Sequence, residues 1–245
     1  MIGILQWTTL AVCGVVTLAR IPSALRGENR SLFSIFALAT LAILLSIDGP
    51  YLVVDRALGG LNIANLVLRF VIFAAIFFLG LRVARGFSAD DALRLITGPI
   101  GIGVAAAASA AVVAVFLLMD TSGSSAGMTG IFAKDPRNAA LVEYYGAAGR
   151  LYPAYVTAAL FPAMLRTFRS RFPALVRSSA ALMALGTVGI CLSLLSPVIP
   201  PSLGILRYVF NYTAALCLIL GLALIWLAKV LAQRAQKKQS VLTRW

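Results

Sequence analysis

"NIANLVLRFVIFAAIFFLGLRVAR", residues 62–85, decides how the rest of the chain is read. From Leu66 to Leu81 the run is apolar except for Arg69. A bilayer core about 30 Å thick is crossed by roughly 20 apolar residues in a helix, so this stretch has the length and composition of a membrane span. Arg82 and Arg85 stand at its end, where basic residues flank a span. Arg69 does not: at 1.5 Å per residue its backbone lies about 10 Å below the Asn62 end.

Working outward, the same composition recurs. The chain has 245 residues, 61% hydrophobic and 12% charged, against about a quarter charged in soluble domains. Seven apolar stretches fall near residues 2–19, 31–48, 62–82, 95–119, 143–165, 178–197 and 205–228. The expectation is an all-α, multi-pass cell-membrane protein: a seven-helix domain over 1–230 and a basic tail over 231–245. The first stretch lacks a basic leader, and its charges follow the apolar run, so it reads as a retained helix.

The net charge of +13 is organised by side. Arg20, Arg26 and Arg30 follow the first stretch, Arg82, Arg85 and Arg94 the third, and Arg166, Arg169, Arg171 and Arg177 the fifth. Lys229, Arg234, Lys237, Lys238 and Arg244 follow the seventh. By the positive-inside rule that side is cytoplasmic, which puts the N-terminus outside and the C-terminus inside. The distribution is that of membrane topology and not of nucleic-acid binding. The tail suits anionic lipid headgroups, and Trp7 and Trp226 sit where interfacial anchors are placed.

Local signals mark the connections. Ser88 with Asp91 three residues on reads as a capping box for the fourth helix. Residues 120–146 form the one long connection, flexible in its Gly/Ser half. Asp135 as cap with Pro136 at the first position then restarts a helix, and Pro153 and Pro162 bend it. Gly101, Ala105 and Ser109 form a small-residue face for close helix packing. "RIPSALR" at 20–26 and "RFPALVR" at 171–177 suggest a 3+1+3 parallel repeat, an arrangement found among transporters.

Asn62, Asn65 and Arg69 form one polar stripe on the third helix. The fifth helix offers Glu143, Arg150 and Tyr152, with Tyr145 and Tyr155 at similar depth. The seventh opens with Arg207, Tyr208 and Asn211, and Asp48 and Asp55 come from the connection before the third. All belong to the outer half. Together they are read as the lining of an outward-facing polar recess with Arg69 at its floor and Glu143 or an Asp as counter-ion. The surplus of guanidinium suits a small anionic ligand.

Much chemistry is set aside. The chain has no histidine, which removes His-based acid/base catalysis and His-ligated haem. Cys13, Cys191 and Cys217 lie in apolar stretches without paired spacing, so neither a metal site nor a disulfide is expected. None of Lys134, Lys229, Lys237 or Lys238 lies mid-helix, where a retinal Schiff base needs one. No cofactor and no enzymatic activity are expected.

"RIPSALRGENRSLF", "LGGLNIANLVLRF" and "RFPALVRSSAAL" together resemble the membrane portion of an actinobacterial family of seven-helix integral membrane proteins, often labelled transporters. The resemblance implies the seven-helix fold and, in longer members, a soluble C-terminal domain. This chain ends after its basic tail, and the resemblance carries over no site residues. Three functions fit the sequence: a module that binds or senses a small anion, a small-solute transporter, and a structural or assembly subunit docked on a membrane-protein partner or on its own copies.

Overall fold

The computed structural model describes residues 2–27 and 30–199, and beyond them 210, 213–214, 216–218, 220–225, 227–228 and 231–232. Among the described residues every regular element is a helix. They are α1 (Ile2–Leu25), α2 (Arg30–Leu44), α3 (Asp48–Ala57), α4 (Ile63–Gly86), α5 (Asp90–Thr97), α6 (Pro99–Leu118), α7 (Thr129–Phe132), α8 (Pro136–Phe168) and α9 (Ala174–Ser193). Single 3₁₀ turns occur at Ala126–Met128 and Ser196–Val198.

Three of these helices, α4, α6 and α9, are long and apolar enough to cross a membrane; the pair α2 and α3, bent by 91°, makes a fourth if it forms one broken span. The bend was not legible as such: a single span over 31–48 followed by a connection was expected. Instead the chain tightens through Ser46 N–H to Ile43 O and Ile47 N–H to Leu44 O. A new helix then starts at Asp48, where Pro50 in its first turn needs no helical N–H partner.

A second break separates α5 from α6. Gly98 is extended between them, and Pro99 takes the first position of α6, because proline disfavours a helical residue before it. The start of α5 also differs from the expected Ser88 cap. Ser88 has a positive φ of 49°, and α5 begins at Asp90 with Ala89 at the cap position and no side-chain capping bond. Asp135 behaves as the spacing indicates: its carboxylate accepts from Asn138 N–H at 2.8 Å, with Pro136 leading the helix.

The 33 residues of α8 extend about 50 Å, well beyond a hydrocarbon core. This helix is the hub, packed against α4, α6 and α9. Its buried face carries Tyr145, Gly149, Tyr152, Val156 and Leu160. Gly80 lets α4 approach it, since a Cβ there would meet Val156 Cγ1 at 2.5 Å. On α6 the buried positions are Gly101, Ala108, Val112 and Phe116. The expected face of Gly101, Ala105 and Ser109 is thus only partly the packed one, because the stripe follows 3.6-residue periodicity instead of strict fours.

Helix α1 touches the rest through α2, with Thr17 and Thr40 hydroxyls 3.1 Å apart. Trp7, Val12, Val15 and Leu18 stay exposed on its outer face, as suits contact with lipid. Beyond α9, Gly221 approaches Met183, and a Cβ on Gly189 would meet that of Ala214 at 3.0 Å, so the C-terminal helical residues pack on α9 backbone to backbone. The two copies of the suspected repeat occupy different settings: Pro22 lies inside α1, whereas Pro173 is the cap before α9.

Candidate functional site

The N-terminal end of α4 is held by Asp55, which is fully buried. Its carboxylate accepts from Asn62 N–H and Ala64 N–H, each at 3.0 Å, and from the Ser124 hydroxyl at 2.5 Å. A carboxylate at a helix N-terminus satisfies orphan N–H groups and complements the helix dipole. Asp55 therefore serves as a cap supplied from α3 to α4.

Asn62, also fully buried, stands in the left-handed region with φ 57°. Its Oδ1 accepts from Tyr51 Oη at 2.8 Å and Ser125 N–H at 2.9 Å, and its Nδ2 donates to Thr121 O at 3.0 Å and Gly123 O at 2.8 Å. That uses both lone pairs and both hydrogens of the amide. Asn62 fastens the 119–128 connection and has no capacity left for a ligand. The Gly/Ser half of this connection, expected to be flexible, is tied down at every residue from 121 to 125 by Asn62 and Asp55 together with Lys134.

Lys134 closes the same connection from the other side. Its ammonium donates to Asp120 O at 3.0 Å, Ser122 O at 2.7 Å and Ser122 Oγ at 2.7 Å, and pairs with Asp120 Oδ2 at 2.9 Å. The Ser122 hydroxyl and the Lys134 ammonium hold the Asp120 carboxyl down at about 2. Asp135 is likewise lowered, by the Asn138 backbone N–H and side-chain amide.

One to two turns deeper lies Arg69. Its guanidinium sits over the Tyr145 ring, 4.9 Å from the centroid, a cation–π geometry. The side chain crosses Gly149, where a Cβ would come within 2.9 Å of Arg69 Cδ. Arg69 therefore points into the contact between α4 and α8. The carbonyl beside it is unusual too: Pro153 has no N–H, so Gly149 O is denied its helical partner.

Three buried side-chain atoms around this point, Asn65 Oδ1, Arg69 Nε and Tyr145 Oη, make no well-formed hydrogen bond, and the Tyr145 hydroxyl has only the neighbouring Arg69 guanidinium beside it. Asn65 is one turn above Arg69 on α4 and only 3% exposed; Tyr145 is 1% exposed. Arg150 lies close by, within reach of the charges of both Arg69 and Glu143. It also donates to Ser196 Oγ at 2.5 Å, linking α8 to the turn after α9.

The structure thus sorts the expected site residues. Arg69, Asn65, Arg150 and Glu143 come together. Asn62 and Asp55 hold the N-terminal end of α4 and the 119–128 connection. Tyr152 packs against Phe73, ring centroids 5.4 Å apart, in the apolar core. Asp48 is exposed in the first turn of α3. Arg207, Tyr208 and Asn211 lie outside the described residues. Tyr145, expected only as part of the aromatic lining, is the ring beneath the Arg69 guanidinium, and Gly149 and Ser196 were missed.

No protein-family model, no curated protein and no solved structure matches the chain. Fold and site rest on the residues themselves.

Proposed function

We propose that the chain is a non-enzymatic, seven-span protein of the cell membrane, N-terminus outside and C-terminus cytoplasmic, whose outer half binds or senses a small anion between α4 and α8. The spans on this reading are α1, α2, α4, α6, α8, α9 and the helical residues within 210–232, with α3 and α5 lying along the two surfaces. The reading is supported by Asp55, Arg69 and the 119–135 connection lying toward one end, and Arg82, Arg85 and Arg166 toward the other.

The observation that carries the ligand reading is a trio of buried atoms without a well-formed hydrogen bond, one of them on the Arg69 guanidinium, with Arg150 close by. Leaving such an atom unsatisfied costs about 1–3 kcal/mol, and ionisable groups inside a membrane are expensive unless they serve a site. A small oxyanion accepts from Arg69 Nε and Tyr145 Oη. Its own hydroxyl or an attendant water donates to Asn65 Oδ1. Thermal unfolding in neutral detergent with inorganic phosphate and short carboxylates tests this. At least one anion stabilises the wild type and leaves Arg69→Leu unmoved; equal shifts in both, or none in either, refute the proposal.

A small-solute transporter is the second reading, favoured by Pro153, which leaves Gly149 O without its helical partner where Arg69 crosses α8. Freed backbone carbonyls beside charged side chains recur at the binding sites of secondary transporters. Anion flux into proteoliposomes separates the two, because a sensor conducts none.

A further inference from the structure

The end of the bundle opposite Arg69 carries two adjoining hollows of about 430 and 370 Å³. They share Asp91 and Leu95, and α5 forms the wall between them. The second runs down α8 past Ala163, Pro162 and Ala159, with Arg166 at its mouth. From Arg166 to Ala159 is seven residues, or about 10 Å along the helix axis.

Helix α5 is built to lie at an interface. Ala92 and Ile96 are buried, while Asp90, Asp91 and Arg94 stand in solvent. Its exposed C-terminal end is anchored: Tyr155 Oη on α8 donates to Leu95 O at 2.7 Å. The floor of the hollow is therefore a fixed seam between two helices. Arg94, which lines the first hollow, pairs at 3.1 Å with Asp91, common to both, and the exposed Arg166 lines the second.

We infer that this groove between α5 and α8 holds an anionic phospholipid, its phosphate against Arg94 and Arg166 and the upper part of one acyl chain along Leu95, Ala159 and Ala163. The dimensions match: a cationic mouth at headgroup level leads into an apolar channel descending toward the hydrocarbon. Charge selects the lipid, since Arg82, Arg85, Arg169, Arg171 and Arg177 crowd the same end against Asp90 and Asp91. The same field disfavours the chain's own basic tail as the occupant. This site is separate from the Arg69 cluster: it rests on the proposed membrane topology, with α5 at the surface, and not on anion binding at Arg69.

The test is native mass spectrometry of the full chain in neutral detergent, titrated in parallel with phosphatidylglycerol and phosphatidylcholine. Phosphatidylglycerol binds preferentially. Each arginine contributes about fivefold near a surface, so R94Q/R166Q weakens that binding by about 25-fold, while Arg137→Gln at the opposite end leaves it unchanged. Ala159→Phe, which fills the channel without touching charge, also weakens it. Equal binding of the two lipids, an undiminished affinity in both groove variants, or binding of soluble glycerol phosphate as tight as that of the lipid overturns the inference.

Discussion

Replacing Asn62 by alanine is the sharpest test of how the N-terminal end of α4 is assembled. The substitution removes four hydrogen bonds at once. Each contributes about 1 kcal/mol net. The Thr121 and Gly123 carbonyls are only part-buried and regain water, so about 3 kcal/mol is lost from this source. Alanine in the left-handed region adds about 1 kcal/mol, for a total of roughly 4 kcal/mol. Asn62→Gly relieves the backbone strain and so costs about 1 kcal/mol less than Asn62→Ala. Asn62→Asp keeps the acceptor for Tyr51 and Ser125 but turns oxygen toward two carbonyls and sits beside Asp55, so it fares no better than alanine. Unfolding in mixed micelles titrated with dodecyl sulfate reads the free energies, and hydrogen exchange at 121–125 reads the release of the connection. An alanine variant within about 0.5 kcal/mol of wild type, with exchange unchanged, refutes the argument.

Other outcomes follow from the same geometry. Gly149→Ala forces Arg69 aside and costs about 1–3 kcal/mol in the same unfolding assay, and much of that is recovered when Arg69 is also alanine, a coupling that a double-mutant cycle measures. Asp120 has its folded value at about 2, below the unfolded value of about 3.9. The stability it contributes is complete above the unfolded value and lost as pH falls through the folded one. Carbon-13 NMR titration follows that carboxyl, and Lys134→Met shifts its midpoint upward. Gly186→Leu, where a Cβ already meets Leu218 Cγ at 2.8 Å, separates α9 from the C-terminal helical residues and lowers the unfolding temperature.

Much of the helical layout was legible because apolar runs and their flanking arginines obey simple length and charge rules. The break at Gly98–Pro99 and the bend at 45–47 were not, since hydropathy averages over a short interruption. Asp135 was readable as a cap because its acceptor reaches three residues along the same helix. Asp55 was not, because it caps a helix other than its own, seven and nine residues away. Arg69 stood out by polarity alone, and its stripe with Asn65 follows from helical spacing. Asn62 shares that stripe yet does different work: its left-handed backbone turns its amide toward the connection, a conformation that spacing does not reveal. Tyr145 and Gly149 matter through contact with Arg69 across two helices, which a linear pattern does not encode.

The central claim is that Arg69 and its unpartnered neighbours accept a small anion. Isothermal titration of purified wild-type protein with inorganic phosphate and short carboxylates measures it directly. Saturable one-to-one heat for at least one anion, abolished in Arg69→Leu and weakened in Tyr145→Phe, is the expected result. Binding that survives Arg69→Leu, or an absence of heat across the whole set, contradicts it.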